Sequence, residues 1–382
     1  MASVLFPQRP TSLKPASESR RLAARASKSA LLPLALALPL IAVAVWADHQ
    51  GFVSPRVAWV VHRGDLVTSA PGIGNLRYAY PMLPVLLSIV LPHAALALPI
   101  VTCLFSGLML ATLVRRLAAP HNLVVLLPLV AVPVMWFIAS ELIAQVLALT
   151  FLVIALEAFL EFAARGVTYG GFVAGLALAV SFTADPGAVL YMLVMCLFVP
   201  VISAARYQGD PKAAIGIWAV LAFPFLAVLL GWAFLTWTFT GTWHGNLAYS
   251  PYAHVLAFPH GVLPGLGRAL VAAAQDLARA PLYVVAAVLA AIRTRKPAIG
   301  LGLMLPVLML AVALWLGFDY APDTAYFMLT LLAVAVTVEH KLVEVRGMWW
   351  ALLCASLLQV AIVYAWPPAT LGFASWRHAL LR

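Results

Sequence analysis

The chain has 382 residues, of which 64% are hydrophobic and 9% charged, with a mean hydropathy of +1.02. A water-soluble domain of this length cannot bury that much apolar surface, because the exposed fraction of a folded chain falls only slowly with size. The formal charge of +10 is spread in short clusters between apolar runs, with no basic stripe and interleaved aromatics, so nucleic acid is excluded as a partner. What remains is an all-α polytopic protein of the lipid bilayer, since an apolar slab roughly 30 Å thick is crossed by helices of about 20 residues.

In chain order, residues 1–29 are rich in Ser, Pro and Arg and are expected to form a disordered basic cytoplasmic tail. The apolar run 30–47 follows with no small-residue cleavage site before Asp48, and it is expected as a retained first span. A polar loop, 48–93, comes next. It begins "DHQG" with Asp48 and His49 and continues as "SPRVAWVVHRGD", whose spacing predicts an amphipathic interfacial helix with Trp59 at headgroup depth and carrying His62, Arg63 and Asp65. The flexible "SAPGIGN" then leads to "LRYAYPMLP", which holds Arg77 and Tyr80.

Further apolar runs lie near 94–113, 121–138, 142–162, 168–184, 186–204, 214–239, 269–292, 298–317, 324–338 and 347–366, giving about eleven expected transmembrane helices in all. A second outer loop, 240–268, and an extracytoplasmic tail, 367–382, complete the division, with 30–366 as the membrane domain. With the N-terminus in the cytoplasm, sixteen of the 23 Lys and Arg residues fall on the cytoplasmic side and seven on the other, as the positive-inside rule requires. Every long loop then lies outside, on the outer face of a plasma membrane. The Ala-, Leu-, Val- and Arg-rich composition points to a GC-rich bacterial genome.

No phosphate-binding loop of the G-x-x-x-x-G-K-[ST] type occurs, which argues against an ATP-driven engine in this chain. The three cysteines, Cys103, Cys196 and Cys354, are far apart inside apolar runs and make neither a disulfide framework nor a zinc site. In the second outer loop, His244 and Tyr252 stand among Trp237, Trp243 and Tyr249, a mixture that suits sugar stacking or an interfacial aromatic belt; the His spacing matches no compact metal pattern, and no metal ligands are assigned.

An acid directly after the first span (Asp48), an interfacial helix ending in Gly64-Asp65, the element Tyr80-Pro81-Met82-Leu83-Pro84 and a span closing on "LVRRLA" resemble the membrane glycosyltransferases of the C superfamily (the GT-C fold). Known members, such as the protein mannosyltransferase and lipid A aminoarabinose transferase families, use polyprenyl-phosphate sugars. The likeness continues through Ala139-Ser140-Glu141 and "GGFVAGLALAVSFTADPGAVLYML", and it covers roughly residues 30–200. It implies a GT-C-like fold and transfer of a sugar from a polyprenyl-phosphate donor to an acceptor glycan, lipid or protein on the outer face.

Such chemistry needs a base for the acceptor hydroxyl and positive charge for the departing lipid phosphate. Asp48 is the candidate base. His49, His62, Arg63, Asp65, Arg77, Tyr80, Glu141, His244 and Tyr252 are candidates for donor-phosphate or substrate binding, and a divalent cation, Mg²⁺ or Mn²⁺, is a candidate cofactor. Three departures stand out. His49 occupies the place where many relatives carry a second acid, Asp185 the place of an arginine before proline, and Ala325 the place of a late arginine. These leave open a non-catalytic subunit of a membrane complex, and a transporter or flippase of a lipid-linked glycan remains a further reading.

Overall fold

The computed structural model describes residues 16–69, 72–117, 120–165, 168–206, 211–241, 262–295, 300, 302–315, 322–368 and 372–381. Among them there is no strand. The elements in chain order are α1 (Ala16–His49), α2 (Pro55–Ser69), a 3-10 helix (Ile73–Tyr78), α3 (Met82–Val90), α4 (Ala94–Leu117), a second 3-10 helix (Pro120–Leu126), α5 (Leu127–Val130), α6 (Pro133–Glu141), α7 (Ile143–Arg165), α8 (Thr168–Ala184), α9 (Ala188–Arg206) and α10 (Pro211–Thr240). Further along the chain come α11 (Val262–Arg279), α12 (Pro281–Thr294), α13 (Leu305–Trp315), α14 (Pro322–Glu339), a 3-10 turn (Leu342–Glu344), α15 (Arg346–Ala365) and α16 (Phe373–Leu380).

Among the described residues, five helical stretches are long and apolar enough to cross a membrane: Leu31–His49, Ala94–Leu117, Ile143–Phe162, Ala214–Thr240 and Arg346–Ala365. The 24 residues of α4 extend about 36 Å at 1.5 Å per residue, enough to traverse the apolar slab. Glycines set how closely these rods approach. A Cβ at Gly107 would run into the Pro33 carbonyl and Ala37, which locks α4 onto α1, and one at Gly175 would meet the Leu221 carbonyl, which locks α8 onto α10. Small residues serve this purpose in membranes because tails of lipid solvate large apolar side chains as well as a neighbouring helix does.

Two of the expected spans are not straight. Within 121–138 the chain bends by 73° between His121–Val130 and Pro133–Glu141, and within 269–292 it bends by 81° between Gly265–Arg279 and Pro281–Thr294; counting each pair as one crossing raises the total from five to seven. Proline causes the first elbow. Val132, which precedes Pro133, is held extended at φ −109°, ψ 124°, because the proline ring excludes helical backbone before it.

An elbow exposes backbone groups that the bilayer cannot solvate, so other side chains must satisfy them. At the first, Trp349 Nε1 donates to the His121 carbonyl (3.0 Å), the Tyr364 hydroxyl to that of Ala131 (3.1 Å), Trp136 Nε1 to that of Val130 (2.7 Å) and the Tyr326 hydroxyl to that of Pro128 (3.3 Å). At the second, the Leu282 amide donates to Gln359 Oε1 (3.1 Å), and Gln359 Nε2 donates to Thr330 Oγ1 (2.9 Å); both polar side chains are fully buried. α15 and α14 therefore hold both bends.

At the end of the bundle that carries Asp48, short helices lie over the long ones. α2 packs on α3 and α4, and α16 returns to rest on α1 and α6. An aromatic cluster of Phe52, Phe137, Phe373 and Trp376 seals that contact, with ring centroids 5.5 to 6.4 Å apart in the recorded pairs. Gly372, at φ +90°, lets the chain enter α16 against Pro55, where a Cβ would sit 2.9 Å from the proline ring. At the opposite end, Arg116 Nε and Glu157 Oε1 pair at 2.6 Å between α4 and α7.

Candidate functional site

Asp48 occupies the last turn of α1 and is half-buried. The chain reverses immediately after it: the Gly51 amide donates to the Asp48 carbonyl (2.8 Å), that of Phe52 to the Ala47 carbonyl (3.0 Å), and Gly51 takes the left-handed φ of +74° that the turn requires. His49 is exposed and stacks on Trp46, with ring centroids 6.3 Å apart.

Glu141 ends α6 and is buried, 3% exposed. α6 packs against α1, which brings Glu141 within electrostatic reach of Asp48, while the neighbouring Ser140 hydroxyl donates to the Phe137 carbonyl (3.4 Å). The first elbow brings this about, because α6 leaves the bend across the bundle and delivers Glu141 beside the end of α1. Two acids separated by 93 positions in sequence thus end two helices that pack together.

The next element supplies positive charge. Arg56, Val60 and Arg63 share one face of α2 and are all buried. The Arg63 guanidinium lies over the rings of Trp59 (4.5 Å) and Tyr78 (5.7 Å), and burial pulls its pKa below the usual arginine value. His62 and Asp65 lie on the exposed side of the same helix and do not join this face. Gly64 is a packing glycine: a Cβ there would meet the Ser88 hydroxyl of α3, and Ser88 Oγ donates to the Val60 carbonyl (3.4 Å).

Tyr80 is also an anchor. It is 2% exposed, its hydroxyl donates to the Phe182 carbonyl (2.8 Å), and its ring packs between Phe182 and Trp232. Burial and the nearby Asp185 push the phenol pKa well up. The Tyr80 hydroxyl thus ties the segment that follows α2 to α8. Arg77 lies on the 3-10 helix Ile73–Tyr78; its side chain, and His244 and Tyr252 entirely, fall outside the described residues.

Two cavities flank these residues. A small one of about 60 Å³ is lined by Arg56, Trp59 and Tyr80 on one side and by Gln145 and Asp185 on the other, space for about two waters and not for a sugar. Asp185 Oδ1 accepts from the Gly187 amide (2.7 Å) and so shapes the α8–α9 turn. Sequence reading gave Arg56, Gln145 and Asp185 no site role, and no motif joins residues so widely spaced. The larger cavity, about 220 Å³, is apolar and fills the inside of the first elbow, against α1 and α4.

Among the described residues no three His, Cys, Asp or Glu side chains gather as a metal-binding group. Taken together, the arrangement offers carboxylates at the ends of α1 and α6, positive charge on α2 and an apolar cavity inside the first elbow. Compared with known proteins, the chain matches no family model, no curated protein and no solved structure.

Proposed function

We propose that the protein is an integral membrane glycosyltransferase that moves a sugar from a polyprenyl-phosphate donor to an acceptor hydroxyl at the non-cytoplasmic surface, on a GT-C-like framework of about eleven crossings. The observation that carries this reading is the placement of Asp48 and the buried Glu141 at the ends of two helices that pack together, α1 and α6, with the buried Arg56 and Arg63 on the helix that follows α1. The excess of Lys and Arg on the side of the Arg116–Glu157 pair supports an outward orientation for the Asp48 end.

In the reaction, the acceptor oxygen attacks the anomeric carbon and a new glycosidic C–O bond forms. The bond from that carbon to the phosphate oxygen breaks, and the polyprenyl phosphate leaves with the electron pair. The acceptor proton passes to Asp48, and the α2 arginines offset the charge that develops on the leaving phosphate. Reconstituted with candidate polyprenyl-phosphate sugars, the native protein releases polyprenyl phosphate, and Asp48→Asn lowers that rate by about 10²–10⁴-fold, the usual contribution of a positioned base. Unchanged turnover in Asp48→Asn would remove Asp48 from the chemistry.

A second reading, transport of a lipid-linked glycan, draws on the two elbows, since discontinuous helices line many transporter sites. We rank it lower because Trp349, Tyr364 and Gln359 already engage backbone groups at those bends. Movement of a labelled lipid-linked sugar across the liposome without release of polyprenyl phosphate would reverse the ranking. A third reading, a non-catalytic subunit, is favoured by Ala325, fully buried where relatives carry an arginine.

A further inference from the structure

The geometry points to a head-group site for a zwitterionic phospholipid, one whose head carries a primary ammonium beside its phosphate, in the groove between α4, α7 and α14. The groove lies at the end of the bundle opposite Asp48, so this site stands or falls apart from the transferase reading.

Three apolar helices end together there. Arg116 is next to last in Ala94–Leu117, Glu157 lies in the last two turns of Ile143–Phe162, and Glu339 closes the apolar helix Ala325–Glu339. All three border one cavity of about 50 Å³, whose remaining wall is aliphatic and includes Val153, Leu331 and Val334. From Leu331 to Glu339 the wall on α14 rises about 12 Å, at 1.5 Å per residue. The groove thus has an apolar floor toward the bilayer interior and a charged rim where the head groups of the bilayer lie. The cavity has room for about two waters, which suits an ammonium and not a sugar or an aromatic ring.

The charges on the rim are only partly used. Arg116 spends Nε on Glu157 Oε1 (2.6 Å), which leaves both terminal guanidinium nitrogens and Glu157 Oε2 without a protein partner among the described residues. These side chains are 46% and 35% exposed, so their pairing adds little to stability and can be shared with a ligand. Glu339 is exposed and makes no hydrogen bond or ion pair among the described residues; the adjoining His340 feels its charge. Arg115 and Glu161, the next charges along α4 and α7, do not border the groove. A guanidinium beside a carboxylate, with a second carboxylate on another wall, complements a head in which phosphate and ammonium are joined by a short linker. The phosphate accepts from the terminal nitrogens of Arg116, and the ammonium donates to Glu157 and Glu339. A trimethylammonium head has no N–H to donate, and a head that is only anionic meets two acids against one base. The acyl chain runs from the rim along the aliphatic wall toward Leu331.

The test reconstitutes the full chain in vesicles of equal parts phosphatidylethanolamine, phosphatidylcholine and phosphatidylglycerol with the same acyl chains, extracts it in mild detergent and measures the retained lipids by mass spectrometry. Phosphatidylethanolamine is expected to be enriched severalfold over both others. Glu339→Gln and Arg116→Gln, both at exposed side chains that the fold does not need, should bring it down to the level of phosphatidylcholine. Glu344→Gln, which removes an exposed acid outside the groove, should leave the enrichment unchanged. Equal retention of phosphatidylethanolamine and phosphatidylcholine overturns the inference, because the ammonium protons then do not matter. Phosphatidylglycerol in excess overturns it as well, and shows only a general attraction to the basic residues. Enrichment that survives Glu339→Gln, or is lost equally in Glu344→Gln, removes the groove as its cause. Enrichment that is lost in Glu339→Gln alone supports the site, whether or not the protein releases polyprenyl phosphate.

Discussion

At the scale of single residues, the carboxylate pair is an arrangement that opposes stability. Glu141 is almost wholly buried beside a second acid, and a buried charge near a like charge raises the free energy of the folded state. Glu141→Gln keeps the side-chain volume and removes an ionisable group from a buried site, so the variant should unfold at a higher temperature in detergent while releasing polyprenyl phosphate more slowly than the native protein, though faster than Asp48→Asn. A variant that loses stability would mean that the carboxylate is engaged by a partner stronger than the Ser140 hydroxyl. Arg63 behaves differently, because its flat guanidinium fits over Trp59 and Tyr78 in a way an ammonium cannot. Arg63→Lys keeps the charge and should still cost about 1 kcal/mol of stacking and packing, visible as a lower melting temperature. An unchanged melting temperature would show the stacking to be idle.

Helical elements show where sequence reading succeeded and where it ran out. The expected interfacial helix is α2, and its buried Val57, Val60 and half-buried Trp59 follow from the spacing of "PRVAWVV". The elbows were not legible as bends, because hydropathy averaged over a span is blind to direction, and prolines such as Pro133 and Pro281 are tolerated in membrane helices that stay straight. What turns them into bends is the supply of polar partners from distant helices, among them Gln359 on α15, 77 positions from the Leu282 amide it caps. Gln359→Leu removes that cap and leaves a buried amide and Thr330 without it; the expected cost is about 1–3 kcal/mol, measured as a lower melting temperature. Equal melting temperatures would indicate that water takes the place of the side chain. Glu141 itself could be proposed from sequence as a polar group near a span end, yet its meeting with Asp48 depends on the first elbow. For the same reason Arg56, Gln145 and Asp185, which border one cavity, carried no shared signal.

On the scale of the whole molecule, the charge distribution and the placement of short helices make one joint statement about orientation. The Arg116–Glu157 pair marks one end, and Asp48, α2 and α16 mark the other. If basic residues stay in the cytoplasm, a single cysteine replacing the exposed Asp65 should react with a membrane-impermeant maleimide in intact cells, whereas one replacing the exposed Glu161 should react only after permeabilisation. The background is first cleared by replacing Cys103, Cys196 and Cys354, of which only Cys354 is exposed and lies on the spanning helix α15. Reaction at position 161 in intact cells, with none at 65, would put the carboxylate pair on the cytoplasmic leaflet. The donor sugar would then have to be presented on that side. Because both acids and both arginines sit at the same end of the bundle, this one labelling pattern fixes the side on which every step of the proposed reaction takes place.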